Sequence, residues 1–231
     1  TFNSKRGIGE HEGPISAELS HGRKLMANIL AIVDPDRRRR EQFLARTSPH
    51  LKFFDWLVLD SMTCGDFSLS WAIHPDAPFK QSTTKVGTGI IVGDAFNPGE
   101  SVPLTPDSFS GVAESLPKRP PYYDGLYACF YYDTFKRLAV STDILGLFPI
   151  YYWAHGDVIL VGTSPELFRH HPLFNAAFNP FALVSILTTT NILNGETLLK
   201  EVRRLDAGHL LFWAMGQKAE EHLQFDPIAQ E

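Results

Sequence analysis

The 231-residue sequence has few cysteines and no long apolar run, and each scarcity excludes a class of protein. Cys64 and Cys129 are too few and too far apart in sequence for a disulfide framework or a zinc site. No stretch of about 18 apolar residues is present, so we expect no membrane span. Residues 1–25 also lack the apolar block of a secretory signal. Together these absences indicate a cytoplasmic protein.

Charge of either sign is also modest. Charged residues make up 20% of the chain, the net charge is −5 and the isoelectric point is near 6.0. This balance is typical of an ordinary folded domain and gives no reason to expect nucleic acid as a partner. The one basic cluster, Arg37 to Arg40, is interpreted as a solvated helix face.

Apolar residues, at 44% of the chain, are sufficient for a sizeable core. Alternating or continuous apolar runs bounded by turn residues predict strands, mostly in antiparallel pairs. Helices are predicted from the Asp36 cap to about Ala45, from the Ser164 cap onwards, and from Phe181 to about Thr188. This arrangement favours an α+β fold. The predicted strands cover 29–33, 53–59, 67–73, 86–92, 126–132, 137–142, 150–153, 158–161, 209–213 and 218–224.

Residues 1–25 differ from the rest because they are rich in Gly, Ser, His and charge without periodicity. We interpret them as a flexible extension or a vector-derived segment, with Met26 as the natural start of a domain over 26–231. Thr1 is a nucleophile type that occurs at N-termini, but no strand pattern follows it. The strand that such a nucleophile needs begins near Ile29 instead.

Several segments, in order, resemble class II glutamine amidotransferases of the asparagine synthetase family. The most specific is DGLYACFYYD, followed at family spacing by LAVSTDILGLFPIYY. The segments are MANILAIVD (26–34), IVGDAFN (91–97), DGLYACFYYD (124–133) with LAVSTDILGLFPIYY (138–152) and GTSPEL (162–167), and TLLKEVRRLDAGHL (197–210). The resemblance implies a four-layer αββα sandwich of two stacked antiparallel sheets, of the N-terminal-nucleophile hydrolase type.

In that family an N-terminal cysteine attacks the glutamine amide, and its own α-amine is the base. The resemblance places Ala27 at the cysteine position and Val92 at the asparagine that donates to the oxyanion. Gly93 keeps the family residue, and Asp94 stands where a glutamate helps to hold the substrate amine. No residue matches the second substrate-binding acid or the arginine. We therefore expect a vestigial glutamine site with no catalytic residue.

The other residues that stand out in the sequence are interpreted as structural. Asp143 and Gly146 are expected to shape a turn between strands, and Asp124-Gly125 a turn that leads into a strand. Cys129 is expected to be a buried core residue. The pair His170-His171 lacks a third ligand nearby, so it is expected at the surface rather than at a metal.

Cysteine-less relatives include the β-lactam synthetases and the lasso-peptide macrolactam synthetases, which take the amine from the substrate. The resemblance therefore implies the N-terminal domain of an ATP-dependent amide- or lactam-forming enzyme. No cofactor is expected in this chain, whereas ATP and Mg²⁺ would bind a C-terminal synthetase domain with a Ser-Gly-Gly-x-Asp-Ser loop, which this sequence lacks. Expected partners are that domain or subunit and a small-molecule or peptide substrate, and a homo-oligomer is compatible. Two alternatives stay open: a non-catalytic scaffold module, or an asparagine synthetase glutaminase domain whose cysteine was mutated.

Overall fold

The computed structural model describes residues 27–112, 120–192 and 194–225. The interpretations of residues 1–25, of Thr1 and of Met26 lie outside these residues. No helix in the described ranges is long and apolar enough to cross a membrane.

The described residues form two six-stranded sheets in which every neighbouring pair of strands is antiparallel. Sheet A has the strand order β10-β8-β9-β1-β3-β2, and sheet B has the order β12-β11-β7-β6-β5-β4. The strands are β1 (Ala27–Val33), β2 (Val58–Cys64), β3 (Phe67–Ile73), β4 (Phe79–Thr83), β5 (Gly87–Phe96), β6 (Asp124–Asp133), β7 (Arg137–Thr142), β8 (Tyr151–His155), β9 (Val158–Gly162), β10 (Arg203–Arg204), β11 (His209–Ala214) and β12 (Glu220–Leu223).

Among the residues that the structure describes, two α-helices, α1 (Arg37–Leu51) and α2 (Pro180–Thr189), accompany two short 3-10 helices, Pro106–Phe109 and Pro165–His170. The predicted α+β class with two stacked antiparallel sheets is confirmed.

The main core lies between the two inner faces of the sheets. Inward-facing residues alternate along each strand, as the two-residue period of a β-strand requires. Trp71 of sheet A contacts Phe79 of sheet B at 5.2 Å between ring centroids, and Phe67 stacks on Tyr132 at 4.9 Å. These ring contacts join the sheets into one hydrophobic unit.

The outer faces are covered as well, which explains why the central strands are apolar throughout. On sheet A, Phe43 and Leu51 of α1 pack over Leu30 and Ile32. On sheet B, Phe109 of the first 3-10 helix packs with Tyr123 and Tyr127. The strand β1 is therefore buried on both sides from Asn28 to Val33.

The strand predictions for β3 and β7 match the observed bounds, and β1 and β9 are also confirmed. The strand predicted at 53–59 is wrong, because β2 begins only at Val58. The aromatic residues Phe53, Phe54 and Trp56 instead form a stack on the surface. The short strand β4 was not predicted, since its sequence FKQST is half-exposed and mostly polar.

Helix caps were predicted with mixed success. The Asp36 carboxylate accepts hydrogen bonds from the N–H groups of Arg38 and Arg39, and α1 continues to Leu51 rather than ending near Ala45. Asn179 likewise caps α2. Ser164 is not a cap: its hydroxyl donates to Asn28, and the turn that follows is a 3-10 helix.

Candidate functional site

Ala27 stands at the first position of β1, where it is half-buried and pairs with Ile73 of β3. Its methyl group packs against the core between the sheets. A methyl group carries no lone pair, so this position offers no nucleophile for acyl transfer.

Val92 lies on β5 with no exposed surface, between Phe79 of β4 and Ala128 of β6. It belongs to the same core between the sheets against which Ala27 packs. The structure therefore places both residues in one apolar region, and Val92 has no side-chain donor there.

Gly93 follows with a φ of +86°, a conformation that favours glycine. A Cβ at this position would lie 2.0 Å from the carbonyl oxygen of Leu126, so the close approach of β6 also demands glycine. Its N–H donates to the carbonyl of Pro78 at 2.8 Å. The backbone donor at this position is consequently occupied by the protein itself.

Asp94 is half-buried on β5 and pairs with Leu126. It lies two residues from Val92, on the same face of the strand. No hydrogen bond to its carboxylate comes from the residues that the structure describes, which leaves it as the one charged group of the sequence-predicted site.

A neutral polar network next to Ala27 was not foreseen from the sequence. The side-chain oxygen of Asn28 accepts hydrogen bonds from Thr163 at 2.5 Å and Ser164 at 2.8 Å, and its amide donates to the carbonyl of Leu51. The Thr163 hydroxyl accepts from the N–H of Ile29. The available signal was Asn28 itself, because the resembling family has glycine at that place. This network fixes β1 and supplies no reactive group.

The opposite end of β1 carries a cluster of buried and half-buried titratable groups. Asp34, with no exposed side-chain surface, accepts two hydrogen bonds from Arg39, at 2.6 and 2.7 Å. Arg40 donates to the carbonyls of Asp34 and Gly65. The interpretation of Arg37 to Arg40 as a solvated face is therefore wrong for Arg39 and Arg40, because both guanidinium groups turn inward to satisfy the strand end.

His171 is also part of this cluster, so its expected surface placement is wrong. The ring is 1% exposed, lies edge-on to Phe43 and approaches Asp34 with Nε2 at 3.2 Å. Its Nδ1 accepts from the N–H of Leu173, which requires the neutral tautomer with hydrogen on Nε2. His170 is half-buried and stacks on His50.

Burial sets the protonation of this cluster. It lowers the pKa of His171, and the hydrogen bond to Asp34 only partly offsets that effect. Burial alone would raise the pKa of Asp34, but hydrogen bonds from Arg39, the Asp36 N–H and His171 together lower it. At neutral pH the pair is thus a carboxylate beside an uncharged imidazole, held by Arg39.

The interpretations of Asp143, Gly146 and Cys129 are confirmed. The buried Asp143 carboxylate accepts from the N–H groups of Leu145 and Leu147 and so closes the turn that contains Gly146. The turn expected at Asp124-Gly125 is wrong, because both residues belong to β6 and pair with Phe96 and Ala95 of β5. Cys129 is fully buried, and burial raises the pKa of its thiol. In the described ranges, no group of three or more His, Cys, Asp or Glu residues could hold a metal ion.

Comparison with known proteins supports a glutamine amidotransferase domain over the second half of the chain. Residues 118–224 match the model of a glutamine amidotransferase domain. No curated protein matches the sequence. The matched range contains the strands β6 to β12, which make up four of the six strands of sheet B and the β10-β8-β9 half of sheet A.

Two solved structures are similar to the chain at 12% identity. One is described as the allosteric regulatory enzyme of purine biosynthesis, with a TM-score of 0.43, and the other is glutamine phosphoribosylpyrophosphate amidotransferase from B. subtilis in complex with ADP and GMP, with a TM-score of 0.44. Each comparison covers 84% of this chain and 48% of the other chain. The chain thus spans about half the length of these structures. The family match and the two stacked antiparallel sheets are both consistent with a glutamine amidotransferase domain.

Proposed function

We propose that this chain is a glutaminase-like domain that does not hydrolyse glutamine. In this proposal it is the N-terminal domain of an ATP-dependent amide- or lactam-forming enzyme of the asparagine synthetase family. The domain contributes structure, and a synthetase domain or subunit contributes the reaction.

The observation that carries the proposal is the state of the two positions that the resemblance assigns to glutamine hydrolysis. The nucleophile position is a methyl group at Ala27, and the side-chain donor position is the fully buried Val92. Next to Val92, the N–H of Gly93 is already bound to the carbonyl of Pro78. Losing one oxyanion donor alone typically costs on the order of 100- to 1000-fold in rate. Without a thiol, no acyl-enzyme can form at all.

If glutamine supplies no ammonia, we propose that the amine comes from the substrate itself. In such a reaction the partner domain would transfer AMP from ATP to a carboxylate and release pyrophosphate. A substrate amine would then attack the acyl carbon, and AMP would leave as the amide forms. The ATP and Mg²⁺ of this step belong to the partner in our proposal.

The direct test is ammonia release by the purified chain incubated with glutamine. We expect no glutamine-dependent ammonia above that of buffer. Hydrolysis that is abolished by Asp94→Asn would contradict the proposal, because it would show a working site in this pocket. The synthetase part is tested separately by the downstream coding sequence: a Ser-Gly-Gly-x-Asp-Ser motif there supports it, and its absence there and in adjacent reading frames argues against it.

A second candidate is a non-catalytic binding module on the same fold, and the surface of α2 favours it. In this helix Phe181 is 79% exposed and Leu187 75% exposed, while only Ala182 is buried. A helix that is apolar on all sides is normally covered by another surface. This candidate gains if the synthetase motif is missing and the chain still forms a stable complex with a protein encoded beside it.

A further inference from the structure

A cavity of about 830 Å³ lies at the β8–β10 edge of sheet A, apart from the region of Ala27 and Val92. Its wall includes Tyr151 of β8, Glu166 and Arg169 of the second 3-10 helix, and Arg204 of β10 with Asp206 beyond it. Across sheet A, Leu30 of β1 pairs with Gly162, Gly162 with Tyr151, and Tyr151 with Arg204. Two strand spacings therefore separate the cavity wall at Tyr151 from β1.

Charged side chains of both signs line this cavity and are exposed to solvent. In the ranges described, no ion pair or side-chain hydrogen bond engages the guanidinium groups of Arg169 and Arg204 or the carboxylates of Glu166 and Asp206. A further exposed acid on the wall, Glu196, accepts a hydrogen bond from the amide of Asn179. Solvent-exposed groups of both signs are therefore available to a ligand in one cavity.

The rest of the wall is suited to an organic molecule rather than an ion. Leu198, Leu199 and Leu205 supply apolar surface, and the half-buried Tyr151 supplies an aromatic ring. Cavities that bind small molecules usually measure a few hundred to about 1,000 Å³ and combine apolar walls with a few polar groups. This cavity fits that description and is larger than one amino acid needs.

We propose that the cavity binds a short peptide through its free termini. The peptide carboxylate pairs with Arg169 or Arg204, since the planar guanidinium matches a carboxylate in geometry and charge. The peptide ammonium pairs with Glu166 or Asp206, and apolar side chains lie on the leucines. One ligand then pairs its two charged termini with cavity groups of opposite sign. The site uses none of the residues at Ala27, Val92 and Gly93, so its test is independent of the proposed function.

The test is titration of the full chain with leucyl-leucine, followed by calorimetry and by amide chemical shifts. We expect saturable binding with a Kd of about 1 mM or tighter, and shifts at Tyr151 and Arg204. N-acetyl-leucyl-leucine and leucyl-leucinamide each lack one charged terminus and are expected to bind roughly tenfold more weakly or worse. Free leucine, which keeps both charges but fills less of the wall, is expected to bind more weakly than the dipeptide.

Two variants test which side chains pair with the carboxylate and the ammonium of the peptide. Arg204→Gln is expected to weaken leucyl-leucine binding and to remove the preference over leucyl-leucinamide, whereas Glu166→Gln removes the preference over the acetylated peptide. The matched control is Arg38→Gln, an exposed arginine of α1 away from the cavity, which should change nothing. The proposal is overturned if leucyl-leucine does not saturate, or if blocked peptides bind as well as the free one. It is also overturned if Arg204→Gln, with an unchanged melting temperature, binds like the unaltered chain.

Discussion

The two ends of β1 use polar groups in opposite ways. At the Ala27 end the side chains are a methyl group, a neutral amide and two hydroxyls, all packed or hydrogen-bonded to one another. At the Asp34 end lie a buried carboxylate, two arginines and a histidine. A catalytic centre for glutamine would need its titratable groups at the first end, yet the chain places them at the second.

This difference teaches that perturbed charges in this fold need not mark a reactive centre. The Asp34 cluster combines burial, a shifted pKa and an aspartate–histidine contact, which are features of many active sites. Every one of its polar groups nevertheless has a partner within the cluster, and α1 covers it. Its role is structural, because it links the end of β1 to α1 and to His171, which directly follows the second 3-10 helix.

The largest expected loss of stability comes from removing the buried carboxylate of the Asp34 cluster. Asp34→Ala removes the buried carboxylate shared by the half-buried Arg39 and the buried His171 and leaves both without that partner, so we expect a loss of about 3 kcal/mol in the free energy of unfolding. Urea unfolding measures this loss. The control is Glu41→Gln, which breaks the exposed pair with Arg37 and should cost at most about 0.5 kcal/mol. Similar losses in both variants would contradict the structural role of the Asp34 cluster.

Gly93→Ala tests the tight packing near the Ala27 end. The added Cβ would strike the Leu126 carbonyl, and the backbone would keep a positive φ. We expect a loss of about 3 kcal/mol in the free energy of unfolding. Gly99 has a similar φ of +78° but open space around it, so Gly99→Ala should cost only about 1 kcal/mol. Equal losses of stability in the two variants would contradict the close approach of β6 to Gly93.

Val92→Asn tests whether the apolar region around Ala27 and Val92 can accommodate an asparagine, the residue that the resembling family has at this position. An amide at this fully buried position has no partner among the described residues, so we expect a loss of about 2 kcal/mol in stability. The same change at the exposed Val102 should stay within about 0.5 kcal/mol. A Val92→Asn variant as stable as the unaltered chain would show that the region still accommodates a polar donor.

The smallest effect is a pH dependence from the Asp34 end. The folded state holds the pKa of His171 below its unfolded value of about 6.5, so the unfolded chain binds more protons as the pH falls below that value. Stability is therefore expected to fall on acidification from pH 7 to pH 5, by about 1.4 kcal/mol per unit of pKa depression. His171→Phe should flatten this part of the melting-temperature profile. An unchanged slope in that variant would exclude His171 as its source.

Apolar patterns predicted the buried strands well, because burial on both faces leaves a nearly continuous apolar run in β1 and β9. In β3 the buried Ser68 and Ser70 alternate with apolar residues, which gives the two-residue period of a strand. These patterns failed where apolar residues are not buried. The run that begins at Phe53 looks like a strand, but Phe53, Phe54 and Trp56 stack on each other at the surface. The half-exposed strand β4 was missed, because its mostly polar sequence shows no two-residue apolar period.

The assignment of residues to the candidate site stays a prediction, and the surroundings of those residues could not be predicted from the sequence. Resemblance assigned positions to Ala27, Val92 and Gly93, whereas the bond from Gly93 to Pro78 depends on a turn before β4 that no local pattern indicates. His171 and Asp34 are 137 residues apart in sequence, so only the folded topology reveals their contact. The cavity lined by Glu166 and Arg204 likewise joins segments that are distant along the chain.

The central claim is that the Ala27 end has lost more than its nucleophile, and restoring that nucleophile tests it most directly. A chain begun at Met26 and carrying Ala27→Cys would present both thiol and α-amine once Met26 is removed. The measurement is ammonia release from glutamine, compared with the Ala27 chain made in the same way. We predict no difference, because Val92 provides no donor and the Gly93 N–H is bound to Pro78. Steady glutamine hydrolysis by the Ala27→Cys chain would contradict the account and identify a working glutaminase with one altered residue.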